Sequence, residues 1–283
     1  MVIDVHTHAE FMEPMYKGDE VTRQRKEIMG REFLGYSDIS MALFQMDHAG
    51  IDKRVLLPLD LTTQYGCTIV SNDEMKKLVE EAPERFIGFA SVDPYREDAI
   101  KELDHAFGEL GLSGLKLNPS KQKFYPTDSI MKPVYEKCIE YGKPILFHCG
   151  TSWEPNTPAK YSKPLCFEEV AIEYPELRIG LAHFGWPWVQ DTAMILLKYP
   201  NVYADTSMLY CDRAKDFFHQ IFKVDLSPLW IENMFSDKVM FGSNSPRFGE
   251  EDMKYGLEKL GLRERTLAKV LGGNAMKFLG MED

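Results

Sequence analysis

VIDVHTHAEF, Val2 to Phe11, decides how the rest of the chain is read. The apolar run Val2–His6 predicts a strand. A first strand of a doubly wound sheet normally leads into a glycine-rich phosphate turn. This one leads into His-Thr-His-Ala-Glu-Phe, without a glycine. Side chains two apart on a strand share a face, so His6 and His8 aim at one spot beyond the strand end. That favours a closed barrel, whose chemistry sits at the C-terminal ends of its strands.

Seven further β-rich runs follow: Arg54–Asp60, Phe86–Asp93, Gly114–Asn118, Pro144–Gly150, Arg178–Gly185, Val202–Ser207 and Val239–Asn244. Several are apolar almost throughout, as strands covered on both faces are. Helical patterns separate them. SDISMALFQMDHAG starts at a Ser37 or Asp38 cap and stops at Gly50. REDAIKELDHAFGELG repeats Ile100, Leu103, Phe107 and Leu110 at helical spacing before Gly111. IMKPVYEKCIEYG, PWVQDTAMILLKYP and RTLAKVLGGNAMKFLG read alike. Eight strand–helix pairs predict the α/β class and a single (β/α)8 TIM-barrel domain over residues 1–283. Ala9–Tyr36 and Met208–Asp237 exceed ordinary βα loops and are expected to cover the C-terminal face.

A net charge of −11, spread along the chain, argues against a nucleic-acid partner. No apolar run approaches membrane-spanning length, and the first residues lack a basic segment before an apolar core. The five cysteines form no CxxC pair and suit a reducing compartment. The expectation is a cytoplasmic protein without a membrane role.

His6, His8, Lys116, His148, His183, Asp205 and Asn244 fall at the ends of the predicted strands. The other histidines, His48, His105 and His219, fall in predicted helices and are expected to be solvated or near caps. HxH alone is a weak signal. HxH on the first strand, with FHCG and AHFG ending two later ones, points to a metal site built from neutral imidazoles. Asp4 shares the face of His6 and His8 in a regular strand. It is expected either to orient an imidazole or to sit hydrogen-bonded in the barrel floor. Cys149 follows His148 and, by alternation, points away from the site.

The motifs IDVHTH, FIGFASVDP, GLKLNP, PILFHCG, LAHFGW, NVYADTS, VMFGSNSP and LGGNAMKFLG, in this order, resemble the amidohydrolase superfamily. The resemblance is to the amidohydrolase-2 group, which contains aminocarboxymuconate-semialdehyde decarboxylase and aromatic-acid decarboxylases. It implies one divalent metal, zinc or manganese, held by His6, His8 and His148. It gives His183 the role of acting on metal-bound water or substrate, and it implies a small carboxylated substrate and pairing into a homodimer. The group's eighth-strand aspartate, usually within GSD or GTD, falls here on Asn244.

Asparagine keeps the shape of aspartate and can offer its amide oxygen to a metal, but it does not shuttle a proton. Asn244 therefore stands as a metal ligand and catalytic-position residue, with His183 as the main proton carrier. Three origins stay open: natural variation, a deliberate Asp-to-Asn change that traps ligand, or a diverged relative with weakened activity. Lys116 and Arg247 are expected to face the substrate, or to form ion pairs or surface contacts. Trp186 and Trp188 are expected to wall an aromatic site or to cap the barrel rim. The family implies a hydrolase working through a metal-activated water on an ester, lactone or amide. A non-oxidative decarboxylase and a ligand-binding barrel without turnover are the alternatives.

Overall fold

The computed structural model describes residues 1–30, 32, 34–207 and 212–281. The barrel strands are β1 (Ile3–His8), β2 (Lys53–Leu57), β3 (Phe86–Gly88), β4 (Leu115–Leu117), β5 (Ile145–Phe147), β6 (Ile179–Leu181), β7 (Val202–Asp205) and β8 (Val239–Met240). All eight lie where the sequence places them. β1, β2 and β3 pair in parallel, as do β4 to β8 in order. Two single parallel bridges, Ala90 to Leu115 and Thr7 to Ser245, join these sheets into a closed barrel. A small antiparallel hairpin, Leu59–Leu61 with Cys67–Ile69, rises from the end of β2.

Local chemistry sets the helix ends. The helix Ile39–Ala49 starts where Asp38 accepts a hydrogen bond from the Met41 N–H, and it stops at Gly50 with φ +63°. Residues 99–109 form one helical run whose second half, His105–Glu109, widens into a π-helix before Gly111. The three remaining helical patterns, two of which contain a proline, are also helices. Lys132–Glu140 has its proline in the first turn, where no N–H is needed. His48, His105 and His219 lie on helices as expected. His48 and His105 pair with Glu251 and with Asp73 and Glu109.

Two apolar layers hold the barrel. Inside it, Ile3, Val5, Val55, Leu57, Leu146 and Met240 pack with Phe278 of the C-terminal helix Asn274–Leu279, which plugs the floor. Outside, Leu56, Leu115, Phe147, Ile179 and Leu181 pack against the helical ring. Burying both faces of short strands is what makes a parallel sheet worth forming.

The two long stretches behave differently. Ala9–Tyr36 carries the helix Asp19–Ile28 and brings Met29 into the wall of a cavity at the mouth. The described part of Met208–Asp237 instead forms the outer helical run 214–225, whose Phe217, Phe218, Ile221 and Phe222 are buried. It contributes nothing to that cavity among the described residues, because its apolar face is used in the helical layer. Arg31 and Phe33 of the first stretch, and Met208–Cys211 of the second with the fifth cysteine, lie outside the described residues.

Arg25 anchors the first stretch. Its guanidinium donates to the Met15 and Thr68 carbonyls and meets Glu74 Oε2 at 3.0 Å. Burial alone would raise Glu74. The Ser71 N–H and Arg25 outweigh it and hold the carboxyl below its ordinary 4.5. The folded pKa thus lies below the unfolded one, so the contribution is present above pH 4.5 and fades as pH falls through the folded value. The denaturation midpoint of Glu74→Gln should fall short of wild type at pH 6. The gap should close on acidification below 4.5.

Gly150, just after β5, has φ +97°, and a Cβ there would lie 2.2 Å from the Trp186 carbonyl oxygen. Backbone cannot yield as a side-chain tip does. Gly150→Ala should lose about 2–4 kcal/mol in chemical denaturation.

Candidate active site

A β-bulge aims the first strand. Asp4 stands opposite Arg54 and Thr7 opposite Leu56, so Val5 and His6 together face the single Val55. The extra residue lets Val5 join the inner apolar layer while His6 and His8 both line the cavity. It also corrects the expectation for Asp4, which does not share their face. Its Oδ1 accepts the His6 and Ser243 N–H groups, tying β1 to the end of β8. Burial first, and then the charge of Glu250, raises its carboxyl well above the ordinary range. Asp4 belongs to the barrel wall, where its carboxylate takes backbone N–H groups.

The four strand-end histidines touch one another. Ring centroids lie 5.3 Å apart for His6 and His8, 4.7 Å for His6 and His183, and 4.9 Å for His148 and His183. Their partners assign the tautomers. His6 Nδ1 donates to Asp205 Oδ2 at 2.8 Å, which leaves its Nε2 bare. His183 Nδ1 donates to the Ser207 carbonyl at 3.1 Å. Its bare Nε2 then accepts from His148 Nδ1 at 3.1 Å, and His148 Nε2 accepts from the Ser152 hydroxyl at 2.8 Å. His8 Nε2 donates to Asn244 Oδ1 at 3.0 Å.

Burial, then the charges of Lys116 and His6, holds His148 well below 6.5. Burial, then His6, His148 and Lys116, does the same for His183. Both imidazoles are neutral at pH 7, the form that binds metals.

Asp205 is the residue whose role the sequence did not reveal, although an acid closing VYADTS was visible at a strand end. Besides His6, it accepts at Oδ1 from the His183 N–H (2.9 Å), the Ser207 N–H (3.0 Å) and the Ser207 hydroxyl. Burial would raise its carboxyl, but the His6 charge and these hydrogen bonds hold it low.

Two donor sets suit a cation, and they share His6. In one, single atoms of His6, His183 and Asp205 lie within 4.8 Å of one another. In the other, His6, His8, His148 and the Asn244 amide oxygen all line the cavity. Asp205 does not line it, and both its oxygens are engaged. It therefore acts as the carboxylate that orients His6, while His6, His8, His148 and Asn244 are donor types that a divalent metal takes, with His8 Nε2 and both nitrogens of His148 held by protein partners here.

Asn244 occupies its place through backbone strain. Its φ is +65°, a region that asparagine tolerates better than most residues, and its N–H donates to the His6 carbonyl at 2.9 Å.

The cavity also meets Lys116, Lys121, Arg247, Trp153 and Glu154. Lys116 is 5% exposed, so its ammonium is enclosed with the histidines. Arg247 lines the wall as expected, its Nη2 3.4 Å from the Met29 carbonyl. Trp186 is a correction: it packs against the core and is not part of the lining. The left-handed φ of His183, Phe184 and Gly185 turns the chain back, so that the Trp186 carbonyl accepts from the Thr151 N–H. Trp153, which sequence reasoning passed over, takes the wall position. Cys149 is fully buried in the outer apolar layer, and burial pushes its thiol up, so it is no nucleophile. A larger crevice of about 830 Å³, at the opposite end of the barrel near Lys143 and Arg178, contains no histidine.

Among the described residues no helix is long and apolar enough to cross a membrane. The chain is 25% identical over 246 residues to a 2-amino-3-carboxymuconate-6-semialdehyde decarboxylase of Dictyostelium discoideum, covering 75% of this chain and 66% of that protein. It is 29% identical over 171 residues to a 2-keto-4-carboxy-3-hexenedioate hydratase of a Sphingobium species, covering 49% and 50%. The chain thus spans under two thirds of the length of either relative. The crystal structure of a dihydroxybenzoic acid decarboxylase from Polaromonas sp. JS666, with bound manganese and the inhibitor 2-nitroresorcinol, superposes with a TM-score of 0.67. Its identity is 18%, over 99% of this chain and 97% of that one. At that identity the likeness speaks for the fold. The model of the amidohydrolase-2 family matches residues 3–281, and the chain belongs to that amidohydrolase family.

Proposed function

We propose that this chain is a metal-dependent carboxy-lyase that removes carbon dioxide from a small aromatic or enoic carboxylic acid. The observation that carries this is the charge of the cavity wall. Among its described residues the only carboxylate is Glu154, tied to Lys121 at 2.9 Å, while the eighth-strand position is an amide. Hydrolysis would ask for a base beside the attacking water, and among the described lining residues His183 alone, with no carboxylate to share the task, is there to serve. Decarboxylation asks for cations that seat an anionic substrate and for one group that moves a proton.

Lys116 and Arg247 provide the first. His183 provides the second: its neutral Nε2, exchanging the His148 Nδ1–H for a substrate hydroxyl, accepts that proton and returns it to the carbon that carries the carboxylate. The carbon–carbon bond then breaks, its electron pair restores the conjugated system, and carbon dioxide leaves. One divalent ion, zinc or manganese, held by His6, His8, His148 and Asn244, supplies Lewis-acid polarisation and a fixed anchor when bound. The decarboxylase among the relatives supports this choice, and the hydratase supports water addition as the competitor.

Carboxylated phenols, enoic acids and lactones, turned over in deuterated and in oxygen-18 water, test it. The expected product carries one deuterium at the vacated carbon and no labelled oxygen. Labelled oxygen in the organic product overturns the proposal in favour of hydrolysis or hydration. Any turnover with Asn244 in place excludes a barrel that only binds ligand.

A further inference from the structure

The cavity is too small for the substrates just named. It encloses about 60 Å³, well below the roughly 300 Å³ at which small-molecule sites begin. Three βα segments close it, and one side chain fastens all three. Lys121, 3% exposed, follows β4. Its Nζ donates to the Ile28 carbonyl of the first long stretch at 2.7 Å and to Glu154 Oε1 of the loop after β5 at 2.9 Å. Met29, next to Ile28, and Trp153, next to Glu154, form the walls on either side. Trp153 is 59% exposed.

We propose that Lys121 is a substrate-carboxylate-binding residue kept closed by Glu154. An incoming carboxylate replaces Glu154 on the ammonium, releases the loop after β5 and opens the cavity it enters. The exchange is favourable because one carboxylate substitutes for another on a buried cation, so the ammonium is never left without a counter-charge. Glu154 has the further property of being able to leave. Its side chain is 22% exposed against 4% for Lys121, and it regains water on release. This rests on the carboxylated-substrate reading above and adds a residue and a gating event to it.

The two partners should then act in opposite directions. Glu154→Gln removes the competitor, so it should tighten benzoate binding by about tenfold. Lys121→Met removes the acceptor and should weaken it by about tenfold. Benzamide, which has no charge, should be insensitive to both. Calorimetric titration of the 283-residue chain with benzoate and benzamide reads the affinities, and hydrogen exchange reads the loop. Exchange at residues 151–157 should be faster in Glu154→Gln than in wild type without ligand, and benzoate should speed it in wild type.

A purely structural ion pair would make both variants shift benzoate affinity the same way, which overturns the proposal. So does the absence of benzoate binding in wild type and Glu154→Gln alike. If Lys121→Met does not fold, the sign of the Glu154→Gln shift and the exchange rates decide alone. Opposed shifts with no decarboxylation of any carboxylate tested would leave the gate standing and remove the carboxy-lyase reading.

Discussion

His183→Asn is expected to lower turnover by about 10²- to 10⁴-fold, the usual worth of a positioned general acid–base, while leaving bound metal unchanged. The split matters because His183 lies in contact with His6 and His148. As a proton carrier, its loss empties the rate and not the site. As an obligatory ligand, its loss takes the metal as well. Metal content by elemental analysis, measured on the same sample as the rate, separates the two. Loss of metal in step with activity would transfer His183 to the ligand set and favour the cluster of His6, His183 and Asp205. Asparagine is preferred to alanine because it leaves less empty volume beside His148 and Ser207 and retains a donor for the Ser207 carbonyl.

Asp205→Ala should have the larger effect on the protein itself. It would strand the His6 ring N–H, the His183 N–H, the Ser207 N–H and the Ser207 hydroxyl in a fully buried place. Unpairing groups of this kind costs about 3–5 kcal/mol. His6 would also lose the partner that fixes its tautomer, for which a 10- to 100-fold fall in metal affinity is typical. Asp205→Asn can keep part of the hydrogen bonding, and should recover much of the stability but not the affinity. Equal metal affinity in wild type and Asp205→Asn would show that the carboxylate does not orient His6.

The barrel was legible because its eight strands are short apolar runs that must be covered on both faces, and because Gly50 and Gly111 mark where helices stop. The histidines were legible because each ends a strand. Several features were not. The bulge at Val5 and His6 leaves no mark in composition, so regular alternation put Asp4 on the wrong side. Trp186 was misplaced because three successive left-handed residues reverse the chain just ahead of it. Lys121 lies in a single helical turn, Pro119–Gln122, and Trp153 in a loop, where no periodicity says which side chain turns inward. Asp205 was visible as an acid at a strand end, but its partner His6 is 199 residues away. Pairing over such a distance follows from barrel closure, and the residues themselves do not announce it.

One seam of the barrel has a temporal meaning. His8 and Asn244, which touch across the cavity, lie 236 positions apart, and β1 meets the end of β8 through the Thr7–Ser245 bridge and the backbone hydrogen bonds around it. Contacts of such long range form late, since most of the chain must already be ordered before they repay the entropy of closing the loop. During synthesis the HxH pair therefore precedes by more than two hundred residues the strand end, at Asn244, that would complete the proposed ion site. Metal uptake at the proposed site would then report that β8 has closed against β1.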